Sequence, residues 1–270
     1  MKHIILRDLA VNGSLVLYEF EVSDSITALF NTKTLWVDFG EDVSRVSSSI
    51  LTIPFVSIML PVVWLAGARL WVKNLDRTFY RSLVRLKMAY QDLYSLPHLG
   101  GMVIPCNLHD DSTITWQEGG VLLFSGGVDA HASFLRNDEK ISDLINIQGW
   151  YHDKEETIKA ADRDRIDIDR FAHEHSKRFH FVKSNFAQLI NDQSFSPYSK
   201  AMRDSLWHGM QHSMAFISIS IPLAYKWRIA TIYIASSFTI GDERVCASYP
   251  TTDTEFDFAT CGLSPALLCL

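Results

Sequence analysis

Five consecutive residues near the middle of the chain, Ser125-Gly126-Gly127-Val128-Asp129, have the composition of an anion-binding loop. They follow the apolar run Val121 to Phe124 and precede a helical pattern that begins at about Val128, so a buried strand must turn into a helix here. The two glycines permit a ligand to approach the backbone closely, and the amides at a helix N terminus point at an anion such as phosphate. The Ser125 hydroxyl adds a further donor.

The segment lacks the motifs of the commoner nucleotide-binding loops. The sequence contains neither G-x-x-x-x-G-K-[ST] nor G-x-G-x-x-G, so kinases, GTPases and Rossmann-type dehydrogenases lose their main support. A plain glycine turn between a strand and a helix is the alternative interpretation of so short a motif.

Polar residues at the ends of the later strands are the next candidates. Asn185 ends the predicted strand HFVKSN, and Ser236 and Ser237 end the predicted strand IATIYIASS. In a parallel sheet they share the edge that carries the loop, so binding of a substrate or a ribose is expected as readily as turn capping. Asn146 and Gln148 could meet an adenine edge, but such residues are more often ordinary polar side chains at a strand end.

The histidines and cysteines do not predict a metal or redox site. His208 and His212 have the spacing of a helical metal pair, but the sequence has no H-E-x-x-H and no evident third ligand, which favours a structural role. The four cysteines have irregular spacing without C-x-x-C, so we predict neither a zinc knuckle nor a disulfide framework. Reduced thiols in the cytoplasm are the expected state.

The motif FSGGVDA, placed between a strand and a helix, resembles the PP-loop (SGGxDS) of the ATP pyrophosphatase superfamily. Ser125, Gly126, Gly127 and Asp129 match the family's pyrophosphate-holding loop, and Val128 matches its variable position. The resemblance implies an adenine nucleotide alpha hydrolase-like fold, with ATP and Mg²⁺ as cofactors. It also implies adenylation of a small-molecule carbonyl or carboxylate, release of pyrophosphate, and displacement of AMP by a nucleophile such as ammonia. By the same resemblance Ser125 and Asp129 are the catalytic candidates, and Asp129 is the candidate magnesium ligand.

Within that superfamily the chain resembles an uncharacterised bacterial group, often found in surface-polysaccharide gene neighbourhoods, that joins a β-rich N-terminal region to this loop. The likeness extends to VKSN, IYIASSFT and ASYPTTDTEF, and it implies a sugar-linked or other small acceptor. Two features depart from the group. Ala130 replaces the second serine of the loop, and the chain ends at CGLSPALLCL where the relatives continue into a cysteine-bearing segment. We therefore expect a shortened C-terminal domain, and a catalytically impaired ATP-binding or scaffold protein is the alternative function.

The elements that position the loop form an α/β protein with two predicted domains. Residues 1–112 begin with two strand-like runs around the turn Asn12-Gly13 and continue to an amphipathic helix that Asp76 caps, which predicts an N-terminal α+β domain. Residues 113–270 alternate between strands and helices, which predicts a PP-loop ATP-binding domain built on a doubly wound parallel sheet.

The uncharged run Ile50 to Gly67 is near the lower limit of length for a membrane-spanning helix, about 17 residues. Pro54 and Pro61 each remove a backbone donor, and Pro54 disfavours a helical conformation for Ile53. We therefore predict a strand, SILTIP, followed by a buried helix, FVSIMLPVVWLAGA. A transmembrane helix is the less favoured alternative.

The composition of the 270 residues, with 47% hydrophobic and 21% charged side chains, is that of a folded globular protein. A net charge of −6 gives no indication of the broad basic face that binds nucleic acid, so no nucleic-acid partner is predicted. Arg7 and Asp8 interrupt the first apolar run, which argues against a signal peptide. We predict a cytoplasmic protein without a membrane partner, and self-association into a homo-oligomer is left open.

Overall fold

The computed structural model describes residues 1–94, 96, 99–111, 113–149, 155–202, 205–235, 245–259 and 268–269. Its strands are β1 His3–Asn12, β2 Leu15–Val22, β3 Thr34–Asp38, β4 Arg69–Asp76, β5 Met102–His109, β6 Gln117–Leu123, β7 Asp143–Gln148, β8 Arg178–Ser184, β9 Ile229–Ile234 and β10 Leu268–Cys269. Its α-helices are α1 Ser48–Ala66, α2 Arg77–Tyr94, α3 Val128–Asn137, α4 Glu155–Glu174, α5 Phe186–Leu189, α6 Ser196–Met202, α7 His212–Trp227 and α8 Pro250–Asp253. A π-helical turn, Trp207–Gln211, leads directly into α7.

The described strands form one mixed sheet in the order β10-β9-β6-β7-β8-β3-β2-β1-β4-β5. The strands from β6 onward pair in parallel with one another, and counted from β6 their order across the sheet is 3-2-1-4-5. In the other half, β1 pairs antiparallel with β2 and parallel with β4. The predicted α/β fold class is therefore confirmed, and the N-terminal half mixes both kinds of pairing.

The two halves meet where β3 runs antiparallel to β8 through two residue pairs. Asn185, which follows β8, secures this junction. Its side chain accepts a hydrogen bond from the Trp36 backbone N–H at 2.9 Å and donates one to the Thr34 carbonyl at 2.9 Å. One cluster of buried apolar side chains draws on both halves. The sheet and this core are therefore continuous across the predicted boundary between residues 112 and 113.

Helices cover both faces of the parallel strands. Successive residues of β6 belong to different cores, since Val121 lies in the large cluster and Leu122 in a smaller one. Successive side chains of a strand point to opposite faces. The large cluster includes α1 and α7, whereas the smaller one includes Phe134 of α3 and Ile168 of α4. This layering is that of a doubly wound sheet.

The apolar run that starts at Ile50 forms one helix, α1, so the prediction of a strand followed by a helix was wrong. Pro54 and Pro61 both lie inside α1, and every residue from Ser49 to Leu65 is buried. Burial of a whole apolar helix between the sheet and α7 outweighs the local preference of the residue before a proline, because tertiary packing contributes more than propensity. The helix ends at Gly67, whose φ of +67° is left-handed.

Within the described residues α1 is the single helix that is long and apolar enough to cross a membrane. However, 94% of its most apolar stretch is buried inside the protein. The helix is therefore a buried core helix, and the absence of a membrane partner stays a prediction. The cytoplasmic location stays a prediction.

Asp76 caps α2 as predicted, and its environment makes it an unusual acid. Its Oδ1 accepts hydrogen bonds from the backbone N–H groups of Phe79 at 2.7 Å and Ala259 at 3.1 Å. Its Oδ2 is buried without a hydrogen-bond partner among the described residues. Burial raises the pKa of Asp76 to about 6, and the charges of Asp111 and Asp110 add to the rise. The two amide hydrogen bonds lower the pKa but do not offset the effect of burial.

We expect Asp76→Asn to flatten the dependence of stability on pH. Because the folded-state pKa lies above the ordinary value of 3.8, this carboxyl contributes stability that is complete below the unfolded pKa and is lost as pH rises through about 6. The difference between these two pKa values corresponds to about 3 kcal/mol of stability. Asparagine keeps the Oδ1 acceptor without the charge, so the variant should exceed the wild type in stability at neutral pH. Urea unfolding from acid to neutral pH measures this, and identical pH profiles would contradict it.

Candidate functional site

The loop Ser125–Asp129 joins the end of β6 to the start of α3, which begins at Val128 as predicted. β6 has β7 on one side and β9 on the other, and the helices that lead to these two strands pack on opposite faces of the sheet. This is a topological switch point, where open α/β sheets bind ligands at the carboxyl ends of their strands. All five loop residues are exposed.

Glycine is favoured at the two loop positions for different physical reasons. Gly126 has a φ of +78°, and a Cβ there would lie 3.3 Å from Cγ1 of Ile168 on α4, so the turn itself favours glycine. Gly127 has an ordinary φ of −78°, and a Cβ there would meet only the Ser125 hydroxyl, at 3.4 Å. The absent side chain of Gly127 therefore leaves open space beside the loop.

The amides at the start of α3 are available to a ligand. The Gly127 N–H donates a long hydrogen bond of 3.3 Å to the Ser125 hydroxyl. The N–H groups of Val128 and Asp129 make no hydrogen bond within the described part of the chain, as expected for the first turn of a helix. Among the described residues, these donors of the exposed loop are therefore unpartnered.

These donors face a cleft of about 420 Å³, which Ser125, Gly127 and Asp129 line from one side. Apolar residues at the ends of the three central strands form much of its floor. They are Leu123, Ile145, Ile147 and Ile234. An apolar floor beside a few polar groups is the usual composition of a small-molecule site.

Two amide side chains at the end of β7 complete the floor. Asn146 donates to the Phe124 carbonyl at 2.9 Å and so holds the residue before the loop. Gln148 donates to Oδ1 of Asn146 at 2.7 Å, but its own Oε1 is buried without a hydrogen-bond partner among the described residues. Leaving a buried acceptor unsatisfied costs about 1–3 kcal/mol. A ligand with an N–H or O–H donor would remove that cost.

The start of α7 also lines the cleft, through His212 and Phe216, which lie one turn apart. The Trp207 carbonyl accepts hydrogen bonds from the backbone N–H of His212 and from its ring Nδ1, the latter at 3.2 Å. Sequence analysis assigned His212 a structural role. The structure gives its ring both a backbone anchor and a place in the cleft wall, whereas His208 lies outside the cleft-lining residues.

Carboxylates approach the loop from two helices. Asp129 of α3 and Asp164 of α4 both line the cleft, and Asp164 and Asp167 line an adjoining recess of about 150 Å³. No group of three or more metal-binding side chains occurs in the described ranges. Mg²⁺ is usually held by one or two carboxylates together with phosphate oxygens and waters. The predicted ligand Asp129, joined by Asp164, fits Mg²⁺ that arrives with a phosphate.

Asp164 was not predicted because it belongs to the run DRDRIDIDR, which sequence analysis treats as a solvated helix face. Alternating charges conceal which acid faces the loop. The sequence feature that could have identified Asp164 is Ile168, four residues after it. Ile168 is buried against Gly126, and this contact fixes the orientation of α4.

The remaining predicted site residues have different outcomes. Asn185 joins β8 to β3 and is not among the cleft-lining residues, because both polar groups of its amide are bonded to β3. Its predicted role in substrate or ribose binding therefore gives way to a structural one. Ser236 and Ser237 lie outside the described residues. Ala130, at the position of the family's second serine, is buried and lines the cleft.

A second charged cluster lies away from the cleft, around His180 of β8. The ring Nε2 is 2.9 Å from Oδ1 of Asp143, and Nδ1 is 2.7 Å from Oε1 of Glu41. Burial would raise the pKa of Asp143, but hydrogen bonds from His180, Arg178 and Ser142 lower it below its usual range. The cluster joins β7 and β8 to the segment after β3.

Comparison with known protein families finds no family that matches this chain, and comparison with curated protein sequences finds no match either. The case for a function therefore depends on the geometry and chemistry of the cleft.

Proposed function

We propose that the chain binds ATP with Mg²⁺ in this cleft and adenylates a small-molecule carbonyl or carboxylate with release of pyrophosphate. One observation carries the proposal: the exposed amides of the loop Ser125–Asp129 open onto a cleft at the switch point of a parallel sheet. The resemblance of the loop to the PP-loop and the strand order 3-2-1-4-5 support an adenine nucleotide alpha hydrolase-like fold.

The groups of the cleft fit the parts of such a nucleotide. The Val128 and Asp129 amides and the Ser125 hydroxyl are donors suited to the terminal phosphates, near the positive end of the α3 dipole. The apolar floor suits the face of a base, and the unpartnered Oε1 of Gln148 suits an exocyclic amino group. Asp129 and Asp164 would hold Mg²⁺, which when bound neutralises phosphate charge.

The reaction then needs little beyond positioning. A carboxylate oxygen of the acceptor attacks the α-phosphorus, the bond from that phosphorus to the α–β bridging oxygen breaks, and its electron pair leaves with pyrophosphate. Ammonia or another amine attacks the acyl carbon, AMP leaves, and the nitrogen loses a proton to solvent. The loop amides stabilise the charge that develops on the leaving group, and fixed donors of this kind supply a large part of such catalysis.

A catalytically impaired ATP-binding or scaffold protein is the second candidate. Ala130 favours it, because this cleft-lining residue provides no hydroxyl where the family loop has one. A lost hydrogen bond of this kind is worth about 1 kcal/mol.

Gly127→Val tests the proposal. A side chain there fills the space beside the loop but meets only the movable Ser125 hydroxyl, so the protein should fold while MgATP binding weakens by about tenfold or more, equivalent to about 1.4 kcal/mol. Titration calorimetry with MgATP measures the affinity. Val128→Ala is the matched control, because Val128 is exposed and occupies the variable position of the motif.

Pyrophosphate release with a panel of small carboxylates separates the two candidates. Release that Gly127→Val and Asp129→Ala abolish supports adenylation. MgATP binding without release supports the binding or scaffold protein. A wild-type chain that binds no MgATP, or a Gly127→Val variant that binds it with unchanged affinity, would contradict the proposed site.

A further inference from the structure

A second cavity, of about 600 Å³, lies beside β8. β3 pairs with β8 only at Val37 and Asp38, so among the described strands none covers the rest of that edge of β8. The chain leaves β3 through a turn at Gly40, whose φ is +68° and where a Cβ would lie 2.8 Å from the Phe181 carbonyl oxygen. The residues that line this space, the β8 cavity, come from β8, from α4 and from the turn 38–41.

Two of the charged groups that line the β8 cavity already have partners of opposite charge. Arg178 pairs with the buried Asp143 at 2.7 Å. Glu41 pairs with Lys226 at 2.5 Å, and its other oxygen is 2.7 Å from Nδ1 of His180. These contacts hold two walls of the cavity in place and use the charge of both groups.

Arg165 of α4 and Lys183 of β8 are the other lysine and arginine side chains of the lining, and neither forms an ion pair within the described residues. Cζ of Arg165 is 5.6 Å and Nζ of Lys183 is 5.3 Å from the centroid of the same ring, Phe181. The second carboxylate of the lining is Asp38, whose Oδ1 accepts a hydrogen bond from the Gly40 N–H at 3.1 Å. Two like charges held against one ring repel each other, and a bound anion would offset that repulsion.

The chemistry of these two cations suits an oxyanion. A guanidinium group presents paired donors to a carboxylate or a phosphate, and an ammonium group adds a compact point charge. The contacts with the Phe181 ring attract and restrain both cations. Side chains that are restrained before binding lose less conformational entropy when a ligand arrives.

The β8 cavity adjoins the candidate cleft at two points. On α4, Asp164 lines the cleft and the next residue, Arg165, lines the cavity. On the sheet, Gln148 of β7 lines the cleft, and its register partner Lys183 lines the cavity. Partner residues on neighbouring strands lie about 5 Å apart. The two spaces therefore lie side by side, within the length of one small molecule.

We infer that the β8 cavity binds an oxyanion through Arg165 and Lys183, and that this anion is a second acidic group of the acceptor. The assignment to the acceptor rests on the proposed function, whereas anion binding does not. The acceptor class is then a small molecule with two acidic groups. Its reacting carboxylate lies in the cleft, and a second carboxylate or a phosphate lies in the β8 cavity.

NMR titration of the full chain with glutarate and with inorganic phosphate, at constant pH and ionic strength and without nucleotide, tests anion binding. We expect the backbone amide signals of Phe181 and Lys183 to shift and to saturate. Arg165→Gln combined with Lys183→Gln should weaken binding about tenfold or more. The matched control, Arg81→Gln combined with Lys73→Gln, removes the same charges from exposed positions outside both sets of lining residues and should bind as the wild type does.

The wild-type titration needs no variant to fold, and it decides the first part of the inference. Saturation by either probe supports the anion site, and the probe that binds more tightly identifies the second acidic group as a carboxylate or a phosphate. Lack of saturation by both probes overturns the inference. Unchanged affinity in the Arg165→Gln, Lys183→Gln variant overturns it as well.

Pyrophosphate release from MgATP tests the assignment to the acceptor. The substrates are matched pairs without and with a second acidic group, such as butyrate with glutarate and glycolate with phosphoglycolate. We expect kcat/KM to be about tenfold or more higher for the member with two acidic groups, and the Arg165→Gln, Lys183→Gln variant should lose this preference. Equal use of both members by the wild type overturns the assignment while release itself supports the proposed function. Saturable anion binding without release from any pair supports the anion site and contradicts the proposed adenylation.

Discussion

Asp143→Ala is expected to lower the free energy of unfolding at neutral pH by about 3–5 kcal/mol, the usual effect of removing one partner from a buried ionic cluster. Asp143 is fully buried, and its carboxylate accepts hydrogen bonds from His180 at 2.9 Å, Arg178 at 2.7 Å and Ser142 at 2.6 Å. Arg178 is largely exposed, so water screens its ion pair with Asp143, and the loss of this pair contributes little to the destabilisation. The main loss comes from the buried His180 ring.

That ring has a carboxylate at each nitrogen, Asp143 at one and Glu41 at the other. A carboxylate only accepts hydrogen bonds, so the Nε2 atom that faces Asp143 carries the hydrogen that it donates. Removal of Asp143 leaves a buried donor without its acceptor. The pKa of Asp143 is lowered, so its contribution is present above the unfolded pKa and is lost as pH falls through the folded value. The difference between variant and wild type should therefore shrink in acid.

Urea unfolding of Asp143→Ala beside Asp167→Ala makes the comparison. Asp167 pairs with Arg170 at 3.4 Å with both side chains exposed, and such pairs contribute about 0.5 kcal/mol or less. Similar unfolding midpoints for the two variants would show that the buried cluster does not stabilise the junction of β7, β8 and the segment after β3.

Gly101→Ala is expected to destabilise the protein by about 4 kcal/mol or more, or to prevent folding. Gly101 has a φ of +60°, and a Cβ there would lie 2.2 Å from the Val63 carbonyl oxygen and 2.4 Å from that of Ala68. Both atoms are backbone, so the end of α1 and the start of β4 would have to move. The short distances from the added Cβ to these two carbonyl oxygens, more than the left-handed conformation, determine the size of the destabilisation.

Gly13→Ala separates these two causes. Gly13 has nearly the same φ, +61°, but a Cβ there would meet nothing within 4 Å. Its substitution should therefore show the cost of the left-handed conformation alone, about 1–2 kcal/mol. Thermal or urea unfolding of both variants measures the difference, and equal destabilisation would mean that the contact with Val63 and Ala68 adds nothing.

Local sequence patterns were enough for several elements. The apolar run before Ser125 and the glycine pair predicted the turn from β6 to α3, and Asp76 was correctly predicted as the cap of α2. These features depend on interactions among residues that are close in sequence. The prolines of α1 misled the same kind of reasoning, because two lost donors count for less than the burial of a whole apolar helix.

The candidate site likewise combines features that the local sequence determines with features that tertiary packing determines. Sequence alone determined where the loop Ser125–Asp129 lies and that its amides are exposed, because a strand, two glycines and a helix start impose that geometry locally. Only the tertiary structure decided that Asp164 and His212 face this loop while Asn185 does not. The orientation of α4 follows from the packing of Ile168 against Gly126. The position of His212 follows from the π-helical turn before α7. The position of Asn185 follows from the pairing of β3 with β8. Such contacts join distant parts of the chain, so no local pattern records them.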